Sequence, residues 1–509
     1  MRLAARNLGS NYLAYAASVL SGLVLTPIII DAIGQEGYGA WIFIVSLTTM
    51  LRLLDFGITP TVVRFTAFHR GQGAADEIDA LASTSLAVFL LLGVLSLLVG
   101  LVLAWFLPDM IALSPDLQQP AQVAAVIAAL TLGTQAPLGL VGSLLKGAQR
   151  FDVLSTGAVV SIVAYTALVI VVLTDHSSLP VLATIAFVAT VIRLGYPVFF
   201  IRRELPGLRV SRISVSRANV RALLGFSWFA FLGHVAGKVV FSADVIVIGA
   251  ILGARQVALY GVAARLFGLA AGVASTGTDL LLPLQSELEG RGEHERQRSF
   301  VVTGVRASTC VAVLLGFPLI ILPSWILTAW VGAGFAGSIA PLALLGLAVA
   351  FTTTNSVLSQ YLFARGRPAL LAVAQSSLAI ANLVLTTTLL LTVGEIWVAA
   401  LATLVVEAIG AALVLPLLAR RRGVSLRRLA AAWAHPVGAG IIAALPTLVL
   451  ARAVTQTSSL VILACVGTAW AVAFAAVAWR LALTDTERAL VRRLVARRRG
   501  KPSASSPTL

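Results

Sequence analysis

The chain of 509 residues is 59% hydrophobic and only 11% charged, with a mean hydropathy of +0.97. Soluble domains carry roughly 25% charged residues, so this composition excludes a soluble globular protein. The formal net charge of +16 does not mark a nucleic-acid surface either, because the Lys and Arg gather in short segments between apolar runs, as membrane topology requires.

Fourteen apolar spans are predicted, at 9–33, 38–64, 81–107, 120–145, 153–173, 179–201, 221–252, 257–283, 301–330, 339–363, 369–391, 395–419, 434–452 and 458–482. Most reach the about 20 residues with which a helix crosses about 30 Å of hydrocarbon. The fold class is an all-α polytopic membrane protein. Arg2 and Arg6 precede the first span, which is too long for a signal-peptide core, so it is expected to stay as a helix. The second span carries Arg52 and Asp55 near its middle and closes at Arg64.

The N-terminus, the segments after even-numbered spans and the C-terminus hold most of the 37 Lys and Arg, whereas the exits of odd-numbered spans hold only Arg255 and Arg452. The positive-inside rule then puts both termini in the cytoplasm. Two stretches, AIGQEGYGAWIFIV after span 1 and AILGARQVALYGVAARL after span 7, share a small-residue turn and a Tyr-Gly pair. Six spans separate them, which predicts a parallel repeat with a site where the halves meet. The expected organisation is an N-terminal lobe over 1–201 (spans 1–6), a cytoplasmic linker over 202–220, and a C-terminal lobe over 221–419 (spans 7–12). A basic linker over 420–433, spans 13–14 over 434–482 and a basic tail over 483–509 complete it.

Catalytic signals are missing from the pattern. Cys310 and Cys465 fall within spans, the five His are scattered, and no Gly-rich phosphate loop follows a strand pattern. A transporter, not an enzyme, is expected, with no cofactor beyond coupling to H⁺ or Na⁺.

Charges inside spans nominate a site. A charge at the bilayer centre costs roughly 3 kcal/mol on insertion scales, so such residues face protein or a watery cavity. Arg52 and Asp55, three apart, share a helix face and pair. Either a diphosphate displaces Asp55 from the guanidinium, or the pair is a permanent salt bridge that orients the helix. His234 and Lys238 share a face, while Asp244 lies about 240° further round the helix. Lys238 joins His234 in a cavity or pairs with an acid of another helix, Asp55 among them. His234 packs structurally or couples protons, with an unperturbed pKa near 6.5. Arg265 receives phosphate or pairs with Asp244; Arg193 snorkels; and Asp279 lies near the cytoplasm. Glu407, midway along span 12, is the leading candidate to bind Na⁺ or H⁺, the alternative being an interhelix hydrogen bond by its protonated form.

Gly233/Gly237, Gly249/Gly253 and Gly268/Gly272 have GxxxG spacing, which suits close helix packing. Pro27, Pro60, Pro137, Pro197 and Pro318 mark bends. RRRGVSLRRLAAAW, Arg420 to Trp433, is expected to form a short helix on anionic headgroups, and DTERALVRRLVARRRGK a basic amphipathic helix that anchors the tail. Docking of a polysaccharide polymerase or glycosyltransferase is the further role weighed for them.

LTPIIIDAIGQEGYGAW, LLDFGI, the basic Arg64, ADVIVIGAILGARQVALYGVAARL and LPLQSELEGRGE occur in this order. Together they resemble the polysaccharide-transport branch of the multidrug/oligosaccharidyl-lipid/polysaccharide exporter superfamily, over spans 1–9 and fading after about Ala364. The resemblance implies a flippase in the bacterial cell membrane that carries an undecaprenyl-diphosphate-linked sugar or oligosaccharide to the outer leaflet. Its products would be cell-surface polysaccharides of the O-antigen or lipopolysaccharide kind. Fourteen spans also resemble the lipid II flippase arrangement. A cation-coupled drug exporter of the same superfamily is the other alternative, and it would rest on Asp55, Asp244 and Glu407. Partners are then the lipid-linked glycan and membrane lipids, with no nucleic acid.

Overall fold

The computed structural model describes residues 2–55, 58–173, 178–210, 242–276, 281–365, 368–453, 460–485, 487–489 and 492, with backbone only for 2–12, 54–55, 276, 282–283, 368, 450–453 and 460. These residues form helices, and no strand occurs among them. In chain order the helices are α1 (Arg2–Leu51), α2 (Ile58–Gln72), α3 (Ala75–Trp105), α4 (Leu107–Met110), α5 (Pro115–Gly147), α6 (Phe151–Val172), α7 (Leu179–Gly195) and α8 (Val198–Glu204). Then follow α9 (Ser242–Leu252), α10 (Ala254–Thr276), α11 (Leu281–Gly290), α12 (His294–Ile321), α13 (Pro323–Val331) and α14 (Ile339–Ala364). The last five are α15 (Pro368–Val393), α16 (Trp397–Ile409), α17 (Leu415–Arg420), α18 (Leu426–Ala453) and α19 (Leu460–Leu481).

Twelve helices among the described residues are long and apolar enough to cross a membrane, against fourteen expected. One difference is α1, which runs through the first span and into the second. Straight, it would be about 75 Å long, more than twice the hydrocarbon thickness; Gly34, at φ 72 and ψ 169, divides it. The other is the segment over 221–252, of which only α9 is described.

Three expectations need correction. The second span is not one helix closing at Arg64: α1 stops at Leu51, a 3-10 turn follows over Arg52–Asp55, and α2 runs on from Ile58 to Gln72 with Arg64 inside it. Pro60 gives the reason, since a continuous helix would need its missing N–H to reach the carbonyl of residue 56, whereas near the start of a helix that N–H has no partner to lose. The basic segment over 420–433 is not a separate surface helix either. Arg421 and Arg422 form a turn that ends α17, and residues from Leu426 onward, Arg427 and Arg428 among them, are the first turns of α18. Gly423 makes that turn at φ 84, with its N–H on the Arg420 carbonyl. Finally, Gly268 has open space where a side chain would be, so it marks no tight packing.

The helices gather into two compact units, Met1–Val262 with Ala372–Ala402, and Ala263–Leu371 with Thr403–Leu509. In the first, α3 and α7 pack on α5, and α1 packs on α6. Its two repeat segments also meet. Both turn on a glycine at positive φ, Gly34 at 72 and Gly253 at 83, and both then present a buried Tyr followed by Gly. A Cβ at Gly39 would lie 1.8 Å from the Ala254 carbonyl oxygen, one at Gly261 2.2 Å from Ile42, and one at Gly249 2.4 Å from Phe43. The Tyr-Gly pairs therefore exist where the second part of α1 and the start of α10 pack closely, Gly39 against the Ala254 backbone and Gly261 against the Ile42 side chain.

In the second unit α12 packs on α14 and α18, and α18 packs on α19. Trp470 of α19 is 1% exposed; it donates to the Leu314 carbonyl at 2.9 Å and stacks between Phe317 and Phe474. Beyond α19, Thr484 and Glu487 form a reciprocal cap, and Glu487 accepts from Arg306 of α12 at 2.9 Å. The start of the tail is thus tied to the helix bundle. Burial opposes the charged form of Glu487, but the Thr484 N–H and Arg306 outweigh it and hold the carboxyl below its usual range.

Candidate functional site

Arg52 opens the 3-10 turn that interrupts the second span, and its side chain is exposed. In lipid a break in a helix is tolerated where protein or water satisfies the freed backbone, and such breaks line the binding sites of transporters. Asp55 ends the same turn; its side chain lies outside the described residues. Arg52 and Asp55 are thus the first and last residues of one 3-10 turn, positions that share a register in that geometry.

Asp244 lies in α9 and is fully buried. The Tyr260 hydroxyl donates to its Oδ2 at 2.9 Å and the Thr386 hydroxyl to its Oδ1 at 3.1 Å. All three residues belong to the first unit. Hydroxyls both donate and accept, so this setting accommodates either charge state of the carboxyl.

Glu407 lies in α16, one turn before a π-helical stretch over Gly410–Val414. Pro416, just beyond, has no N–H for the carbonyl of residue 412 and its ring crowds that turn, which explains the local widening. Asn355 of α14 fills the polar gap, with its Nδ2 2.6 Å from the Glu407 carboxylate and 3.1 Å from the Glu407 carbonyl oxygen. Single wide turns of this kind recur at functional sites.

Arg265 sits midway along α10 with its side chain exposed. His234, Lys238 and Asp279 lie outside the described residues. Arg193 is exposed in the last turn of α7. Of the candidates, the structure brings Arg52 and Asp55 into one turn; Asp244 belongs to the same unit, and Arg265 and Glu407 belong to the other.

Thr386 and Asn355, which meet Asp244 and Glu407, were not singled out by sequence reasoning, and Tyr260 was noted only as part of a Tyr-Gly pair. Their signal was weak: neutral polar residues inside apolar runs. A cluster outside the spans was also missed. Arg365 reaches Glu289, and its Nη1 lies 2.8 Å from His294 Nδ1. Burial would raise the pKa of Glu289, yet the bond to Arg365 and its charge prevail and hold that carboxyl below its usual range.

A family model described as polysaccharide biosynthesis protein matches residues 4–289. The chain is 20% identical over 340 residues to the uncharacterized membrane protein EpsK of Bacillus subtilis (strain 168), an alignment covering 66% of this chain and 66% of that protein. Among solved structures it is similar to the lipid II flippase MurJ in an inward closed conformation. The TM-score is 0.71 at 13% identity, over 92% of this chain and 98% of that one. It is also similar to a multidrug resistance MATE family transporter of the MOP superfamily in an inward-facing conformation. That TM-score is 0.67 at 14% identity, over 82% of this chain and 96% of that one. At these identities the structural likenesses establish the fold.

Proposed function

Because the chain belongs to the polysaccharide biosynthesis protein family, the polysaccharide-transport branch of the multidrug/oligosaccharidyl-lipid/polysaccharide exporter superfamily, we propose that it flips an undecaprenyl-diphosphate-linked sugar or oligosaccharide to the outer leaflet by alternating access. It is a multi-pass membrane protein with a flippase-like fold. The observation that carries the reading is Arg52, a guanidinium held in a break within an apolar span. Guanidinium meets phosphate oxygens in a two-pronged geometry, and Arg265, Lys238 and His234 are the further candidate donors to a phosphate headgroup. The lipid tail stays in the bilayer throughout, which removes the largest apolar transfer cost. A membrane potential negative inside favours export of the anionic headgroup by about 2.3 kcal/mol per charge per 100 mV.

In this reading the location is the bacterial inner membrane with both termini cytoplasmic, and polymerases or glycosyltransferases of the same polysaccharide are the candidate protein partners. Coupling to Na⁺ or H⁺ would use Asp244 among its hydroxyls, Glu407 beside Asn355, and Asp55. These same acids favour the second reading, a cation-coupled drug exporter.

Reconstituted protein should move a lipid-diphosphate sugar outward, and Arg52→Ala should slow that movement by about tenfold to a hundredfold, the worth of a charge-assisted hydrogen bond. Equal flipping by the variant at equal protein level would remove Arg52 from the site. Binding of a hydrophobic cation without any lipid-linked sugar would establish the exporter reading instead.

A further inference from the structure

The second unit has a recess of about 290 Å³ at the end of α14, floored by Leu362, Leu371 and Leu418 and rimmed by Arg365, Arg421 and Arg422. Leu362 and Leu371 are buried, while Arg421 is exposed and Arg422 half-buried. By volume the recess matches roughly ten liquid waters, which is room for a headgroup as well as for a single ion. It occurs where α14 and α17 end and α15 begins, the level at which apolar spans give way to polar solvent.

The charge around it is one-sided. Among the described residues Arg421 and Arg422 have no carboxylate within 4.0 Å. Arg365 is held by Glu289, but its Nε is buried with no hydrogen-bond partner. A fourth arginine, Arg298, lies against Gly423 of the arginine turn, with its own Nε likewise unpartnered. Burying donors without acceptors costs energy that an anionic oxygen would recover. Among the described residues that line the recess none is a carboxylate, Glu289 approaching only through Arg365.

We propose that this recess binds the phosphate headgroup of an anionic membrane phospholipid, with Arg365, Arg421 and Arg422 on the phosphate and the leucine floor against the first carbons of the chains. The leucines and the position at the ends of membrane spans favour a lipid over a soluble phosphate, because basic pockets between spans at the bilayer surface combine headgroup attraction with chain burial. The site does not depend on what the protein transports.

Native mass spectrometry of detergent-purified protein titrated with phosphatidylglycerol, with phosphatidylcholine and with inorganic phosphate tests this. Wild type should bind phosphatidylglycerol at least about tenfold more tightly than phosphatidylcholine, and Arg421→Gln/Arg422→Gln should lose about that factor. The lysine pair, Arg421→Lys/Arg422→Lys, should retain part of it, since it keeps the charge and loses the fork. Both arginines lie at the surface of a turn, so these variants should fold. Unchanged phosphatidylglycerol binding by the glutamine variant overturns the proposal. So does millimolar inorganic phosphate displacing the lipid with equal effect, which would assign the recess to a soluble anion.

Discussion

At the residue scale, two acids lie inside apolar helices, Asp244 buried and Glu407 half-buried, and each is met by hydrogen-bond donors. Asp244 depends on the Tyr260 hydroxyl, so Tyr260→Phe keeps the ring in its fully buried place but leaves the carboxyl one donor short. The cost should be about 1–3 kcal/mol, seen as a lower thermal midpoint in detergent. In an Asp244→Asn background the same substitution should cost less if the hydroxyl acts through the carboxyl. The acids themselves were legible in the sequence, because a charge inside an apolar run stands out. Their partners were not. Tyr, Thr and Asn are ordinary in such runs, and the contacts lie 16, 142 and 52 residues away in the chain, distances no local pattern reports.

At the element scale, the apolar spans were legible almost throughout, since length and hydropathy alone decide whether a helix can cross. Breaks within them were less so. Pro60, Pro416 and the Thr484–Glu487 cap are local signals present in the sequence, whereas Asn355, which fills the gap at the π-turn, reaches across from another helix. The Tyr-Gly motif acquires a cause in the contact between α1 and α10. Gly39→Ala would drive a Cβ onto the Ala254 carbonyl, and backbone cannot rotate away as a side chain does. A loss of about 1–3 kcal/mol is expected, read as reduced yield and melting temperature. Gly467→Ala, in α19 with open space around it, should be neutral or gain up to about 1 kcal/mol from helix propensity.

The end of α19 gives a prediction in pH. The native Glu487 carboxyl titrates below its usual value, so in the acid range the unfolded segment binds more protons than the folded one. Its contribution is fully present above the unfolded pKa of about 4.3 and is lost as pH falls through the native value. Protection of the 484–489 segment against hydrogen exchange should therefore exceed that of Glu487→Gln at pH 7, and the difference should shrink below about pH 4.

At the scale of the whole molecule, the two units are not contiguous in sequence: Ala372–Ala402 packs with the first 262 residues, and the second unit resumes at Thr403. Apolar runs announce that they cross a bilayer, but nothing in one run states which other run it will touch. Hydropathy therefore carried the membrane class, and the resemblance of short motifs carried the family, while the grouping of helices waited for the structure.

Asp244 shows what that interleaving means during synthesis. One of its hydroxyl donors among the described residues, Thr386, is made 142 residues later. At a translation rate of about 5–20 residues per second, that is roughly 7–28 s after the acid itself emerges. Throughout that interval the ribosome-bound chain holds a carboxyl in or near the bilayer with its permanent setting incomplete, so the nascent protein must wait with this residue neutralised or still wet. The buried acid thereby completes its setting only after α15, which carries Thr386, has been made.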